Sequence, residues 1–216
     1  MHMKHLAALA SAVALPAAAL ALQPPPPPAA GRPAPQPPRP VDTSSIRAGS
    51  YTLDGAHTQV LFRVEHFGFN SYWGLFGQGS SGTLTLDPAQ PGRAQVSITI
   101  PIAQVQTTSP QLNQHLQTAD FFDAATHPTA TFRSTSVQVQ GQRARIAGNL
   151  TLRGQTRPVV LDARLSGAGA NPMNQKATVG FEATAVVKRS EFGINYAVPG
   201  VSDDVELRIT AAFERN

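Results

Sequence analysis

Two stretches decide the fold: Ala94-Gln95-Val96-Ser97-Ile98-Thr99-Ile100-Pro101-Ile102 and Asp204-Val205-Glu206-Leu207-Arg208-Ile209-Thr210-Ala211-Ala212-Phe213. In the first, Ala94, Val96, Ile98, Ile100 and Ile102 fall on one face and polar residues on the other. Side chains of an extended chain alternate between faces, so period two over this length marks strands with one wet side. Weaker alternation covers Thr58–His66, Thr83–Asp87, Thr129–Val139, Arg143–Leu152, Pro158–Leu165 and Ala177–Val187. That makes about eight strands, and Gln140-Gly141 and Gly154-Gln155 read as tight turns between neighbours. Short connections favour an antiparallel meander. Closing it into a barrel removes exposed edges, while a sandwich stays open as the alternative.

One segment leaves this rhythm. Ser109-Pro110-Gln111-Leu112 reads as an N-cap followed by proline at the first helical position. Leu112 and Leu116 are one turn apart, which predicts one short amphipathic helix to about Thr118, at the side or mouth of the barrel. Asp120–Asp123 reads as a second short turn, ended at His127-Pro128.

The ends of the chain differ in composition. Residues 1–40 carry 11 of the 19 prolines and 3 of the 17 Lys and Arg, but no acid. Met1–Leu22 reads as a secretory signal peptide: Lys4, an apolar Leu6–Leu22 stretch, and small residues at Ala19 and Ala21. Residues 23–49 read as a Pro-rich linker that samples polyproline II, and 50–216 as the working domain. The expected location is therefore beyond the cytoplasmic membrane. From Val41 onward 14 basic residues face 13 acidic ones, which argues against a nucleic-acid partner. Zero Cys excludes thiolate metal sites, thiol catalysis and disulfides.

Chemistry-bearing motifs are sparse. Gly77-Gln78-Gly79-Ser80-Ser81-Gly82 spells a dinucleotide fingerprint, but a strand follows where the mechanism needs a helix. No Gly-x-Ser-x-Gly elbow is present, and the expectation is a protein that is not an enzyme. His57, His66, His115 and His127 fit no compact metal motif; no metal is expected, and a metal-binding or metal-dependent envelope stress protein using them is the alternative. Six of the 14 aromatic residues fall between Phe62 and Phe76. With Gly68, Gly74 and Gly77 among them, the segment after Phe67 reads as a bend. It is either a packed corner of the core or the mouth of an apolar cavity, with His66 as a polar group at the end of the wall.

Several stretches together resemble the YceI-like family of periplasmic polyisoprenoid-binding proteins. They are Tyr51-Thr52-Leu53-Asp54-x-x-His57-Thr58-x-Val60-x-Phe62-x-Val64-x-His66 with Gly74-x-Phe76, His115 through Asp123, and His127-Pro128-x-Ala130-x-Phe132-Arg133-Ser134-Thr135. Gly148 through Val159 and Arg189-Ser190-Glu191-Phe192-Gly193-Ile194 complete the set. The resemblance implies an all-β fold: an extended, lipocalin-like, eight-stranded antiparallel barrel with one short helix. It also implies a carrier that sequesters a polyisoprenoid, isoprenoid quinone-like, or similar long-chain amphiphile in the periplasm. No cofactor beyond that hydrophobic ligand is expected.

Ligand-binding candidates are Val60, Phe62, Val64, His66, Phe69, Trp73, Phe76, Leu84, Leu86, Ile98, Ile100, Phe132 and Phe192. Arg133 and Arg189 read as rim or outward charges. A greasy ligand implies transient membrane contact. Outward positions such as Leu61 and Val160 fit a homodimer interface or scattered surface residues equally well.

Overall fold

The computed structural model describes residues 41–216. The expected signal peptide over 1–22 and the expected spacer as far as Pro40 lie outside the described residues. Ten strands follow one another: β1 (Gly49–Leu53), β2 (Gln59–His66), β3 (Asn70–Phe76), β4 (Ser81–Leu86), β5 (Gln95–Pro101), β6 (Thr129–Gln140), β7 (Arg143–Leu152), β8 (Gln155–Ala170), β9 (Ala177–Lys188) and β10 (Asp204–Arg215). One α-helix, α1 (Pro110–Leu116), stands between β5 and β6.

These ten strands make an eight-walled barrel. β10 pairs with β2 over Glu206–Thr210 and with β1 over Phe213–Arg215, all antiparallel. β1 and β2 are thus two halves of one bent strand. Their neighbours β4 and β3 form the second bent strand, since β1 pairs with β4 and β2 with β3. From β4 the ladder runs β5, β6, β7, β8, β9 and β10, and the β1–β10 pairing closes the ring. Every wall is bonded to its sequence neighbour. Closure leaves β3 as the end of the hydrogen-bonded order, its outer side met by the Leu75–Gln106 bridge, so a Cys-free sheet offers little free edge for edge-to-edge aggregation.

The bends have a visible cause. Asp54 Oδ1 accepts the N–H of Ala56 at 3.1 Å and Oδ2 pairs with His57 Nδ1 at 2.7 Å, while Thr58 Oγ1 donates to the Asp54 carbonyl at 2.7 Å. This Asx-type turn interrupts the strand and restarts it at Gln59. The second joint, 77–80, passes so close that a Cβ on Gly55 would stand 2.1 Å from the Ser80 carbonyl oxygen. Glycine is required there by contact alone.

Both hairpin turns appear one residue away from their expected positions. β6 ends at Gln140 and β7 starts at Arg143; β7 ends at Leu152 and β8 starts at Gln155. Arg153 and Gly154 both have positive φ (49° and 70°), the combination a two-residue turn needs to match strand twist.

Two expectations need correction. The segment after Phe67 is a strand, β3, reached through a tight turn at Phe67-Gly68. Gly74 sits inside that strand because the Phe62 ring lies over it; a Cβ there would be 2.2 Å from Phe62 Cζ. The spacer read over 23–49 also reaches too far. Thr43–Ser45 forms a short 3₁₀ turn capped by Asp42, Gln142 Nε2 donates to the Val41 carbonyl at 2.8 Å, and Ile46 packs against the Tyr51–Phe213 cluster. Ile46 gives the segment an apolar anchor that the proline run lacks.

Helix α1 forms as expected at its start. Ser109 Oγ accepts from Leu112 N at 3.2 Å, and Pro110 occupies the first turn. Leu112 and Leu116 face a cluster of Phe76, Ile102, Val105 and Ala130. Leu75 and Gln106 exchange both backbone hydrogen bonds at 2.9 Å, and Ile102 N donates to the Pro128 carbonyl. Residues 102–128, including α1, therefore bridge from β3 to β6 where β5 has ended.

Candidate ligand cavity

Period two puts one side chain of every pair inside the ring. On β2 and β3 the register pairs Val60 with Phe76, Phe62 with Gly74 and Val64 with Tyr72. These face inward. Leu61, Arg63, Glu65, Ser71, Trp73 and Leu75 take the opposite face, where Arg63 bridges Glu65 and Glu206. The same height continues around the wall: Val60 pairs with Ile209, Ile209 with Ala183, and Ala183 with Ala163.

The inward side chains do not fill the ring. They enclose a cavity of about 1310 Å³. It passes Thr43, Ile46, Pro88, Pro91 and the β6–β7 turn, and at its other limit α1, the β2–β3 turn and residues 194–201. Its wall is almost wholly aliphatic and aromatic. Pockets for drug-sized molecules occupy roughly 300–1,000 Å³, so this one suits a longer, apolar guest.

Of the expected ligand-binding residues, Val60, Phe62, Val64, His66, Phe76, Leu84, Leu86, Ile98, Ile100, Phe132 and Phe192 line the cavity. Phe69 and Trp73 do not. Phe69 follows the hairpin turn and is 89% exposed. Trp73 occupies an outward position of β3 and lies over the Arg208 guanidinium, 5.2 Å from the ring centroid. Reading this segment as a bend hid its alternation, and with it the outward direction of Trp73.

Arg189 is also not where a rim charge would be. It is 7% exposed and lines the cavity. Its guanidinium donates to the carbonyls of Ser202 and Val201 at 2.8 Å, of Tyr196 at 2.8 Å and of Ile194 at 3.2 Å. One planar fork thereby gathers the chain between the 3₁₀ turn Arg189–Phe192 and β10 into a cap over the mouth. Burial holds its pKa below the usual guanidinium value, opposed by the nearby Asp203 carboxylate. Arg133, by contrast, is exposed as expected.

The mouth combines this cap with α1. His115 pairs with Asp120 at 2.8 Å and stacks edge-on against Phe121 and Tyr196 at 5.0 and 5.1 Å. On the other side His66 meets Phe67 edge-on at 4.8 Å, and Phe67 N donates to the Gly200 carbonyl at 2.7 Å. Phe67, Tyr196 and Val198 line the cavity and remain partly exposed. Sequence reasoning passed over Tyr196, Val198, Phe121 and Phe122. For the last two the signal was present: two adjacent aromatics just after an amphipathic helix.

Asp203 pins the cap to β10. Its carboxylate accepts Ser190 N and Ser190 Oγ, each at 2.8 Å. Burial pushes its pKa up, but these two hydrogen bonds and the charges of Lys188 and Arg189 outweigh it, leaving the pKa below the ordinary value. A lowered carboxylate pKa contributes stability that is present above the unfolded value of about 4 and lost as pH falls through the folded value. Acidification below about pH 4 is therefore expected to raise amide exchange across 189–203 before the barrel strands respond. In Asp203→Asn the cap should exchange faster at neutral pH and lose that acid step; an unchanged acid step would assign it to another group.

The histidines do not converge. His57 and His115 each pair with a local aspartate, and among the described residues no three His, Asp or Glu side chains gather around a common point.

A model of the YceI-like domain matches residues 51–213. The chain belongs to the YceI-like family. Protein YceI of Salmonella arizonae is 39% identical over 170 residues, which span 78% of this chain and 88% of that protein. A Campylobacter jejuni YceI structure aligns at TM-score 0.63 and 31% identity, covering 77% of this chain and 98% of that one. Burkholderia cenocepacia BcnA aligns at TM-score 0.66 and 24% identity over 74% and 98% of the two chains, a likeness of fold. The YceI-like motifs now have physical content: Leu53-Asp54-x-x-His57-Thr58 builds a strand joint. Arg153-Gly154 makes a turn from which Arg153 reaches the carbonyls of Ala119 and Gly193, and Arg189 gathers the cap.

Proposed function

We propose that this YceI-like barrel is an exported binding protein that holds one long-chain amphiphile, of the polyisoprenoid or isoprenoid-quinone type, within its lumen, and catalyses no reaction. The observation carrying this reading is the apolar cavity of about 1310 Å³ running through the ring. Moving each methylene from water into such a lumen stabilises the complex by about 0.8 kcal/mol, so a chain of tens of carbons overcomes its ordering cost. The guest passes through the mouth, where Phe67, Tyr196 and Val198 continue the lining outward. Exposed aromatic rings suit the boundary between headgroups and acyl chains, and loading takes place there on transient contact with a bilayer. A solved domain from Saccharophagus degradans described as polyisoprenoid-binding shares the fold at TM-score 0.55 and 15% identity; its ligand is consistent with this reading, which rests on the cavity.

The test is fractionation of cells making the full chain, then organic extraction and mass spectrometry of the protein. The expected result is a stoichiometric long-chain lipid in protein recovered from the periplasmic fraction, and uptake of that lipid from vesicles by stripped protein. Protein that is lipid-free on extraction and takes up nothing from vesicles would overturn the reading.

A further inference from the structure

Among the described residues, Ser80 Oγ is the only buried side-chain nitrogen or oxygen without a hydrogen-bond partner. Ser80 is 7% exposed and lines the cavity. Its position is specific. It ends the joint between β3 and β4, with seven strand residues on one side and six on the other, near the middle of that wall. Ser80 N donates to the Gly77 carbonyl at 3.0 Å, and the Ser80 carbonyl oxygen lies close against Gly55. Thr58, at the facing joint, is 4% exposed and also lines the cavity, but its hydroxyl is spent on the Asp54 carbonyl. Leu84 and Leu53 lie on one side of this level, and Phe76 and Ile102 on the other, in separate apolar clusters.

A buried hydroxyl with no partner is costly, and alanine would fill the same place without that cost. We infer that Ser80 Oγ, buried in the wall of the unliganded barrel, turns about its Cα–Cβ bond to become the polar anchor of the lumen: it hydrogen-bonds an oxygen of the bound amphiphile and sets how deeply that oxygen lies between the two apolar halves of the tube. The inference rests on the carrier reading and narrows it. The guest carries a hydroxyl, carbonyl or ether oxygen that enters the barrel, so the protein separates oxygenated isoprenoids from hydrocarbons of equal length.

Two probes test this with the intact barrel: a C20 isoprenoid alcohol and the C20 isoprenoid hydrocarbon lacking its oxygen, each titrated against wild type and Ser80→Ala. Wild type should prefer the alcohol. Ser80→Ala should bind the alcohol about tenfold more weakly, because its oxygen is left unpaired, while its affinity for the hydrocarbon is unchanged. Unliganded Ser80→Ala should melt no lower than wild type, since no protein hydrogen bond is lost. Ser80→Thr, which keeps a hydroxyl, should retain the preference. Equal effects on both probes, or a drop in the melting temperature of the unliganded variant, would overturn the anchor and leave the carrier reading standing. Wild type that binds neither probe would overturn both.

Discussion

Ala183→Trp is expected to lower affinity for a long-chain ligand about a thousandfold while leaving the barrel folded. Ala183 is a small residue in the inward row formed by Ala163, Ile209, Val60 and Phe76, and all five line the cavity. An indole at this point projects into the lumen. Excluding about five methylenes of guest at ~0.8 kcal/mol each removes roughly 4 kcal/mol, or three orders of magnitude. Adding atoms to a packed core ordinarily costs about 1–3 kcal/mol; here the ring has open volume to receive them, so the melting temperature of unliganded protein should change little. Titration with a fluorescent long-chain probe, alongside thermal unfolding of both unliganded proteins, measures the two effects separately. Affinity unchanged in a folded variant would place the ligand outside the lumen.

The second large effect is one of stability. Arg189→Met removes the guanidinium from four backbone carbonyls, those of Ile194, Tyr196, Val201 and Ser202. Methionine matches much of the apolar stem but leaves these acceptors inside the cap without a donor. Breaking a buried, hydrogen-bonded charge site typically costs about 3–5 kcal/mol. For a domain of this size that corresponds to a melting temperature lower by roughly 6–20 °C. Arg189→Lys should recover only part of it, because a point charge cannot reach carbonyls on opposite sides of a planar fork. Faster release of ligand should accompany both substitutions, since the cap covers the mouth. A melting temperature within about 2 °C of wild type for Arg189→Met would show that the cap holds without its centre.

Period two alone located eight of the ten strands, because a strand that is wet on one side and apolar on the other writes its geometry into every second residue. β1 was too short to show that pattern, and β3 disguised it. Gly74, which looks like a breaker, is the seat of the Phe62 ring from the neighbouring strand. Cross-strand contact of this kind joins residues twelve apart in the chain and leaves no local mark. The same limitation separated Phe69 and Trp73 from the other aromatics: without the turn at Phe67-Gly68 in place, nothing indicated which way each ring would face.

Arg189 shows the limit for charged residues. Its sequence context, Arg189-Ser190-Glu191-Phe192, is that of a surface turn, and an arginine there reads as solvated. It is buried because the chain returns over it at 194–202 and supplies carbonyls in place of water. Ser80 is a parallel case. Its Gly-x-Gly-x-x-Gly surroundings suggested a nucleotide loop and then, with a strand following, nothing further. Only the meeting of two strand joints gave its hydroxyl an apolar enclosure and no partner.

Alternation, turn residues, the Ser109-Pro110 cap and the absence of Cys were enough to determine an all-β meander with one short helix and no covalent cross-links. These are local consequences of side-chain direction and backbone propensity, so they can be read in order along the chain. Tertiary structure decided that β1 with β2 and β4 with β3 are bent walls of one ring, that the ring stays open inside, and where its few buried polar groups lie. Those properties depend on strand pairs closing across the whole chain, as β1 does on β10, and on the volume left once every inward side chain has been placed.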